Sequence, residues 1–367
     1  MFKIKLILTL IFGLMIYTCM SPNEDLGVKT NLLLTQDVGG YCVDLGLADS
    51  IIIAAAEENG FFSFKIITDD KNNIIRLDTL AHENNMFPTV GDNMSEQIEI
   101  SSNNNMFFSL DKLDRIHVRK LNGDIIDDLE NLHNCSYSLI RSIAIDDTPS
   151  DHIILYSLVK HTSGGPGYNP YSTSIITLKL EYTYWPDYEI TTWNNDECHE
   201  YHNLNYGCEG IFFTDSLLAV SNGTLGVNVF KQSVDSDYSG ELEELLSFDT
   251  EGEVNTVYVK ENNIFAGLND DKGCCISTIN SEDMLSNQTY VANGYSIQGI
   301  HIQGDLMALA CGGDGILLYN FYNNGNIPQA SEIGRINSEY AYNVIIYNSN
   351  TIFVATKAGI QIFTIER

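Results

Sequence analysis

Five stretches of this sequence share one spacing. From Asp49 to Gly60, Asp215 to Gly226, Asn262 to Gly273, Gly304 to Gly315 and Asn348 to Gly359, a polar turn is followed eleven residues later by a glycine. An apolar run fills each interval: IIIAAA from Ile51, LLAVS from Leu217, IFAGL from Ile264 after Asn263, LMALA from Leu306 and IFVAT from Ile352 after Thr351. A second apolar stretch follows the glycine, as in GILLYNF from Gly315 and GIQIFTI from Gly359. A register held from residue 49 to residue 359 marks a repeated unit. Such a unit cannot bury its apolar face alone and has to stack against its neighbours.

Two weaker copies fill the gap between the first and second strong ones. SSNNNMFFSLDKLDRIHV offers Asn103 as the turn and places Asp114 where the glycine belongs. The next has its turn near Ser150, and its second loop is swollen by about a dozen residues between Lys160 and Ser174, the behaviour of a surface insertion. Seven turns then span 348 − 49 = 299 residues in six steps, about 50 per step. That period is the length of a four-stranded propeller blade. Two stacked β-sandwiches would also supply short strands, but nothing in them requires a recurring offset of eleven.

The strand count agrees. Each unit has an inner strand before the turn (TVYVK from Thr256, GIHIQ from Gly299), the apolar strand, and the strand after the glycine. A further β-like segment precedes each unit: NLLLTQDV, NNIIRLDT, DIIDDLEN, YEITTWNN, LEELLSFD, NQTYVANG and ASEIGRIN. If these are outer strands of preceding blades, the first, Asn31 to Val38, has no blade before it, and the last unit, ending at Ile365, lacks an outer strand. Pairing the two removes the open sheet edges. The expected fold is all-β: a β-propeller of seven four-stranded blades over residues 31–367, closed by an N-terminal strand that completes the last blade.

The unit with an IFVAT-like strand, a glycine and a strand such as GIQIFTI or GILLYNF resembles the LVIVD repeat of secreted and surface bacterial propellers. The likeness covers roughly residues 40–365 and is strongest in the first copy and the last four; where that family's strand ends in Asp, this chain has Lys65, Lys231, Thr278, Asn320 and Thr364. The resemblance implies an exported propeller with a binding or scaffolding role and brings no catalytic residues with it. The WD40 signature is absent, since Trp185 and Trp193 fit no Trp-Asp position in the repeat.

The N-terminus, MFKIKLILTLIFGLMIYTC, places Lys3 and Lys5 before an apolar stretch from Leu6 to Ile16. It is too short to span a bilayer but has the length of a signal-peptide core, so residues 1–18 are expected to be a signal peptide. Cys19 follows, then SPNED, an arrangement similar to a bacterial lipoprotein signal; Cys19 is the expected lipidation site and residues 19–30 the tether. Ile16, Tyr17 and Thr18 stand where such a signal usually carries Leu, then Ala or Ser, then Gly or Ala. Membrane contact is expected through this lipid only, with the protein at the cell envelope, on the outer membrane or cell surface.

Charge narrows the partners. Forty-nine acidic residues against 19 basic ones give a formal net charge of −30. Such a surface repels phosphate backbones, so no nucleic-acid partner is expected. The expected partner is an envelope protein or glycan.

No Gly-x-Ser-x-Gly elbow, His-Glu-x-x-His, Cys-x-x-Cys-His, P-loop or complete EF-hand loop occurs, and no catalytic residue, metal or cofactor is assigned. Cys198 and Cys208, ten apart in the polar segment DECHEYHNLNYGC, are disulfide candidates in an oxidising compartment. With His199, Glu200 and His202 the same two cysteines also offer zinc-ligand chemistry, but without the paired arms of a structural zinc site. Cys274 and Cys275 read as strand neighbours facing opposite ways. Acidic pairs at Asp69 and Asp70, Asp146 and Asp147, and Asp270 and Asp271 read as solvated turns. In the insertion KHTSGGPGYNPYS, glycines and prolines exclude regular structure, and His161, Tyr168 and Tyr171 are the candidate binding-loop residues.

The leading expectation is a non-enzymatic binding or scaffolding propeller. The alternative is a hydrolase or lyase with acid–base residues at the channel mouth, drawn from His152, His161 or His301. A channel lined by titratable residues favours the second; one lined by small apolar residues opposes it. The loop GGDG at 312–315 reads as one blade's version of the common bend, because a phosphate cradle would need a basic residue or a following helix.

Overall fold

A computed structural model describes residues 27–83, 95–111, 115–129, 138–149, 152–161, 172–183, 189–192, 199–204, 207–214, 217–232, 242–324 and 327–367. Every regular element among them is a strand. The strands form seven antiparallel sheets, each ordered inner, second, third, outer. Blade 1 comprises Asp44–Ala48, Ile51–Ala55, Phe61–Thr68 and Ile74–Glu83. Blade 7 comprises Ala341–Asn348, Thr351–Thr356 and Gly359–Glu366, and its fourth strand is Lys29–Gln36 from the other end of the chain. The seven-bladed propeller and its closing strand are therefore as the repeat predicts.

The second strands are apolar without alternation because both their faces are covered. Ile52 and Ala54 of blade 1 pack with Phe353 and Ile362 of blade 7, whereas Ile53 and Ala55 pack with Phe107 of blade 2. Neighbouring strand residues point to opposite faces, so one run serves two cores. Seven such clusters occur among the described residues, one at each junction between blades. A junction core between blades 7 and 1 is what distinguishes a closed ring from an open fan.

The conserved register has a steric cause. Gly226, Gly273, Gly315 and Gly359 all have φ between +78° and +101°. A Cβ at these positions would stand 2.0 Å from Phe248 O, 2.1 Å from Val291 O, 2.2 Å from Ile336 O and 2.3 Å from Gln36 O. Each of those carbonyls ends an outer strand. Gln36 thus does at the closing strand what Phe248, Val291 and Ile336 do within a continuous blade.

Two details differ from the sequence expectation. In blade 2 the amide of Asp111 donates to the carbonyl of Arg115 at 3.0 Å, as Cys311 donates to Gly315 at 2.8 Å, so Arg115 and not Asp114 fills the glycine's place. In blade 3 the outer strand is split: Glu189–Thr192 and His199–Leu204 pair with the two ends of Thr173–Thr183.

Candidate functional site

The seven inner strands surround an axial channel with a cavity of about 600 Å³, a volume typical of small-molecule sites. Inner strands of adjacent blades are not paired with one another, so their channel-side backbone groups need other partners. A belt of side chains supplies them. Asp44 of blade 1 accepts from the amide of Ile98 in blade 2 at 2.8 Å and from its own neighbour Leu45 at 2.8 Å, while Asn343 of blade 7 donates its Nδ2 to Asp44 Oδ1. Gln97 of blade 2 accepts from Ile143 N at 2.9 Å and Ser142 Oγ at 3.0 Å in blade 3, and donates to Ile143 O at 2.8 Å. Asn255 of blade 5 donates to Ile297 O, ahead of blade 6, at 3.3 Å. These polar groups fasten blade to blade.

Deeper along the axis the wall changes character. At one register position on six inner strands stand Gly46, Glu99, Phe212, Tyr258, His301 and Ile345, each opposite the third residue of its second strand. Phe212, Tyr258 and His301 come from blades 4, 5 and 6 and form an arc: ring centroids lie 4.4 Å apart for the first pair and 5.8 Å for the second. The Tyr258 hydroxyl is turned to Ile302 O at 3.5 Å, and Phe265 backs the ring edge-on at 6.4 Å. His301 Nδ1 accepts from Ile346 N at 3.2 Å, which puts the ring proton on Nε2. Burial, with Lys260 nearby, pushes the imidazole down to about 4, so His301 is neutral at pH 7.

Across the ring from that arc is Glu99. Its carboxylate accepts from Gln97 Nε2 at 3.0 Å. Burial and then the charge of Asp44 push Glu99 up to about 8 against the opposing hydrogen bond from Gln97. Burial also lifts Asp44 to about 6, although the amides of Ile98 and Leu45 and the side chain of Asn343 pull it down. Arg141 and Glu209 line the channel too, and Glu209 is ion-paired with Lys160 of blade 3. Among the described residues no group of three or more His, Cys, Asp and Glu converges as a metal site.

One face of the ring carries the glycine turns, and at its rim Tyr342 lines the channel. Tyr340 lies 4.7 Å and Tyr41 6.4 Å from Tyr342, ring to ring, and Lys357 Nζ stands 4.6 Å over Tyr340 and 5.7 Å over Tyr41.

Of the three histidines singled out in the sequence, only His301 lines the channel. His152 and His161 are buried in blade 3, and His161 Nε2 lies 2.8 Å from Ser174 Oγ. Tyr168 and Tyr171 lie outside the described residues, but the insertion carrying them leaves His161 and returns at Ser172, whose carbonyl accepts from His161 N at 3.0 Å. Its two ends, His161 and Ser172, join a second to a third strand, as the glycine turns do, and lie on their face. Cys19 and Cys198 also lie outside the described residues, as do the side chains of His199, Glu200 and His202. Cys208 is buried, with its thiol 3.5 Å from Asn222 Oδ1. Cys274 and Cys275 face different junction cores. Sequence reading did not single out Asp44, Glu99, Phe212 or Tyr258; aligning the inner strands VDLGLA, EQIEIS, IFFT, NTVYVK and GIHIQ would have shown a position that alternates between small, acidic and aromatic residues.

No protein-family model matches the sequence, and no curated protein matches it significantly. Solved structures do. The WD40 repeats of RRP9 superpose with a TM-score of 0.58 at 12% identity over 94% of this chain and 99% of that one. U3-55K gives 0.58 at 12% over 93% and 99%, and the computationally designed Ika8 protein gives 0.50 at 11% over 91% and 98%. At such identities the likeness is one of fold: this chain is a β-propeller with WD40-like structural neighbours.

Proposed function

We propose that this chain is an exported, lipid-anchored β-propeller of the LVIVD-repeat kind, acting as a non-enzymatic binding or scaffolding protein at the cell envelope. The observation that carries the proposal is where the chain enters the ring. Lys29 opposes Glu366 at one end of the closing pair and Gln36 lies beside Gly359 at the other. The N-terminus therefore joins at the face opposite the glycine turns. Lys29 follows Cys19 by 29 − 19 = 10 residues, a reach of at most about 35 Å. An acyl chain on Cys19 would hold that face near the bilayer and turn outward the channel rim, the Tyr41, Tyr340 and Tyr342 patch and the His161 and Ser172 ends of the insertion. The outward face then meets the envelope protein or glycan.

Metabolic labelling with a palmitate analogue tests the anchor: label in the wild type and none in Cys19→Ala supports it, and label persisting in Cys19→Ala refutes it. For the binding role, Tyr168→Ala with Tyr171→Ala should abolish capture of a specific envelope partner while leaving the melting temperature unchanged; undiminished capture would contradict the assigned face. The hydrolase or lyase reading draws on Glu99, whose carboxyl retains its proton at neutral pH; it requires a turnover that Glu99→Gln eliminates.

A further inference from the structure

We propose that the axial channel binds a methylated ammonium group, seated between the Phe212, Tyr258 and His301 arc and the Glu99 carboxylate. The inference deepens the binding role and rests on it, but not on export or lipid attachment.

The geometry supports the ligand class in three ways. First, three aromatic rings from three consecutive blades line one side of the same cavity as a carboxylate on the other. Ring faces attract a cation through their quadrupole, and a desolvated carboxylate attracts it through its charge. Second, nothing in the arc is positive: burial, with Lys260 nearby, keeps His301 neutral, and its Nδ1 accepts from Ile346 N. Third, the ring's glycine-turn face already holds an ammonium in this manner beside the rim residue Tyr342, with Lys357 Nζ over the rings of Tyr340 and Tyr41. A methylated ammonium suits the arc better than a bare one, because its methyl groups can lie against the rings of Phe212 and Tyr258, whose faces offer a cation attraction but no hydrogen-bond acceptor.

In the empty channel at pH 7 Glu99 holds a proton. A bound cation favours the carboxylate, so binding releases that proton and strengthens as pH rises. The charged or titratable groups lining the channel around Glu99 are Asp44 from blade 1, Glu96 on its own strand, Arg141 from blade 3, Glu209 from blade 4, Tyr258 from blade 5, His301 from blade 6 and Tyr342 from blade 7. His301 keeps its protonation state between pH 6.5 and 8.

The test is calorimetric titration of the full chain with choline, and with its uncharged isostere 3,3-dimethylbutan-1-ol, at constant ionic strength. The expected result is choline binding at least tenfold tighter than the isostere and about tenfold tighter at pH 8 than at pH 6.5. Glu99→Gln keeps the side chain's shape and should weaken choline at least tenfold and abolish the pH dependence, with the melting temperature at pH 6.5 unchanged. Tyr258→Phe should retain binding and Tyr258→Leu should lose it. Equal affinity for choline and the isostere would overturn the ammonium assignment while leaving the channel a binding site. Binding of neither would overturn the channel as the site, whatever the palmitate labelling of Cys19 reports.

Discussion

Replacing Gly315 by alanine, alongside the same change at Gly313, separates a structural bend from a ligand loop within one tetrapeptide. Gly315 has φ +78° and its added Cβ would stand 2.2 Å from Ile336 O, whereas Gly313 has no heavy atom within 4 Å of that position and no left-handed φ. A left-handed alanine costs about 1–2 kcal/mol, moving a packed backbone carbonyl adds about 1–3 kcal/mol, and the stiffer unfolded chain returns about 0.4–1 kcal/mol. Gly315→Ala should therefore lose roughly 2–4 kcal/mol. Scaled by the unfolding entropy of a chain this long, the melting temperature should fall by roughly 3–6 °C. Gly313→Ala should stay within about 0.5 kcal/mol of the wild type. Differential scanning calorimetry of the two variants decides the matter: coincident melting curves would refute the claim that the repeat's glycine is imposed by the outer strand.

Three further perturbations bear on the ring. Glu99 is raised from 4.5 to about 8, so the folded state holds a proton that the unfolded chain has released, and stability is lost as pH rises through that window. Between pH 6.5 and 8.0 the wild type should lose up to about 2 kcal/mol by urea denaturation and Glu99→Gln should lose almost none; parallel profiles would contradict the assignment. Asp44→Ala strips the acceptor from Ile98 N and Asn343 Nδ2 and should cost roughly 2–4 kcal/mol, seen as a lower urea midpoint. Arg119, 1% exposed, grips Glu83 of blade 1 through two contacts of 2.7 Å; Arg119→Ala leaves that carboxylate unpaired and should cost about 3–5 kcal/mol, and a loss under 1 kcal/mol would show the pair to be dispensable.

The fold was legible in the sequence because its constraints are local. The left-handed turn recurs at Gly60, Gly226, Gly273, Gly315 and Gly359, with an outer-strand carbonyl closing on the last four, and the second strands are mostly apolar because two junction cores share them. The closing strand was legible by counting, since one outer segment preceded the first unit and none followed the last. Blade 3 was less so: its outer strand is positioned by pairing with Thr173–Thr183 and not by its own alternation, so its division into Glu189–Thr192 and His199–Leu204 left no pattern to read. The channel site was hidden for a different reason. Glu99, Phe212, Tyr258 and His301 come from four blades, and only the strand register brings them to one level. His301 was found as a histidine on an inner strand, but its neutrality depends on burial in the assembled channel, and its Nδ1 partner is a backbone amide 45 residues away.

The central claim is that residues 29–36 complete the last blade and close the ring. Asn31 is directly opposite Thr364 in that pairing, so Asn31→Cys with Thr364→Cys places two thiols across the junction. All five described native cysteines are buried and should react slowly by comparison. Oxidation of the folded protein, followed by digestion and mass spectrometry without reductant, should yield a peptide linking residues 31 and 364 within one chain. A folded, monomeric protein that forms no such link would contradict the closed ring.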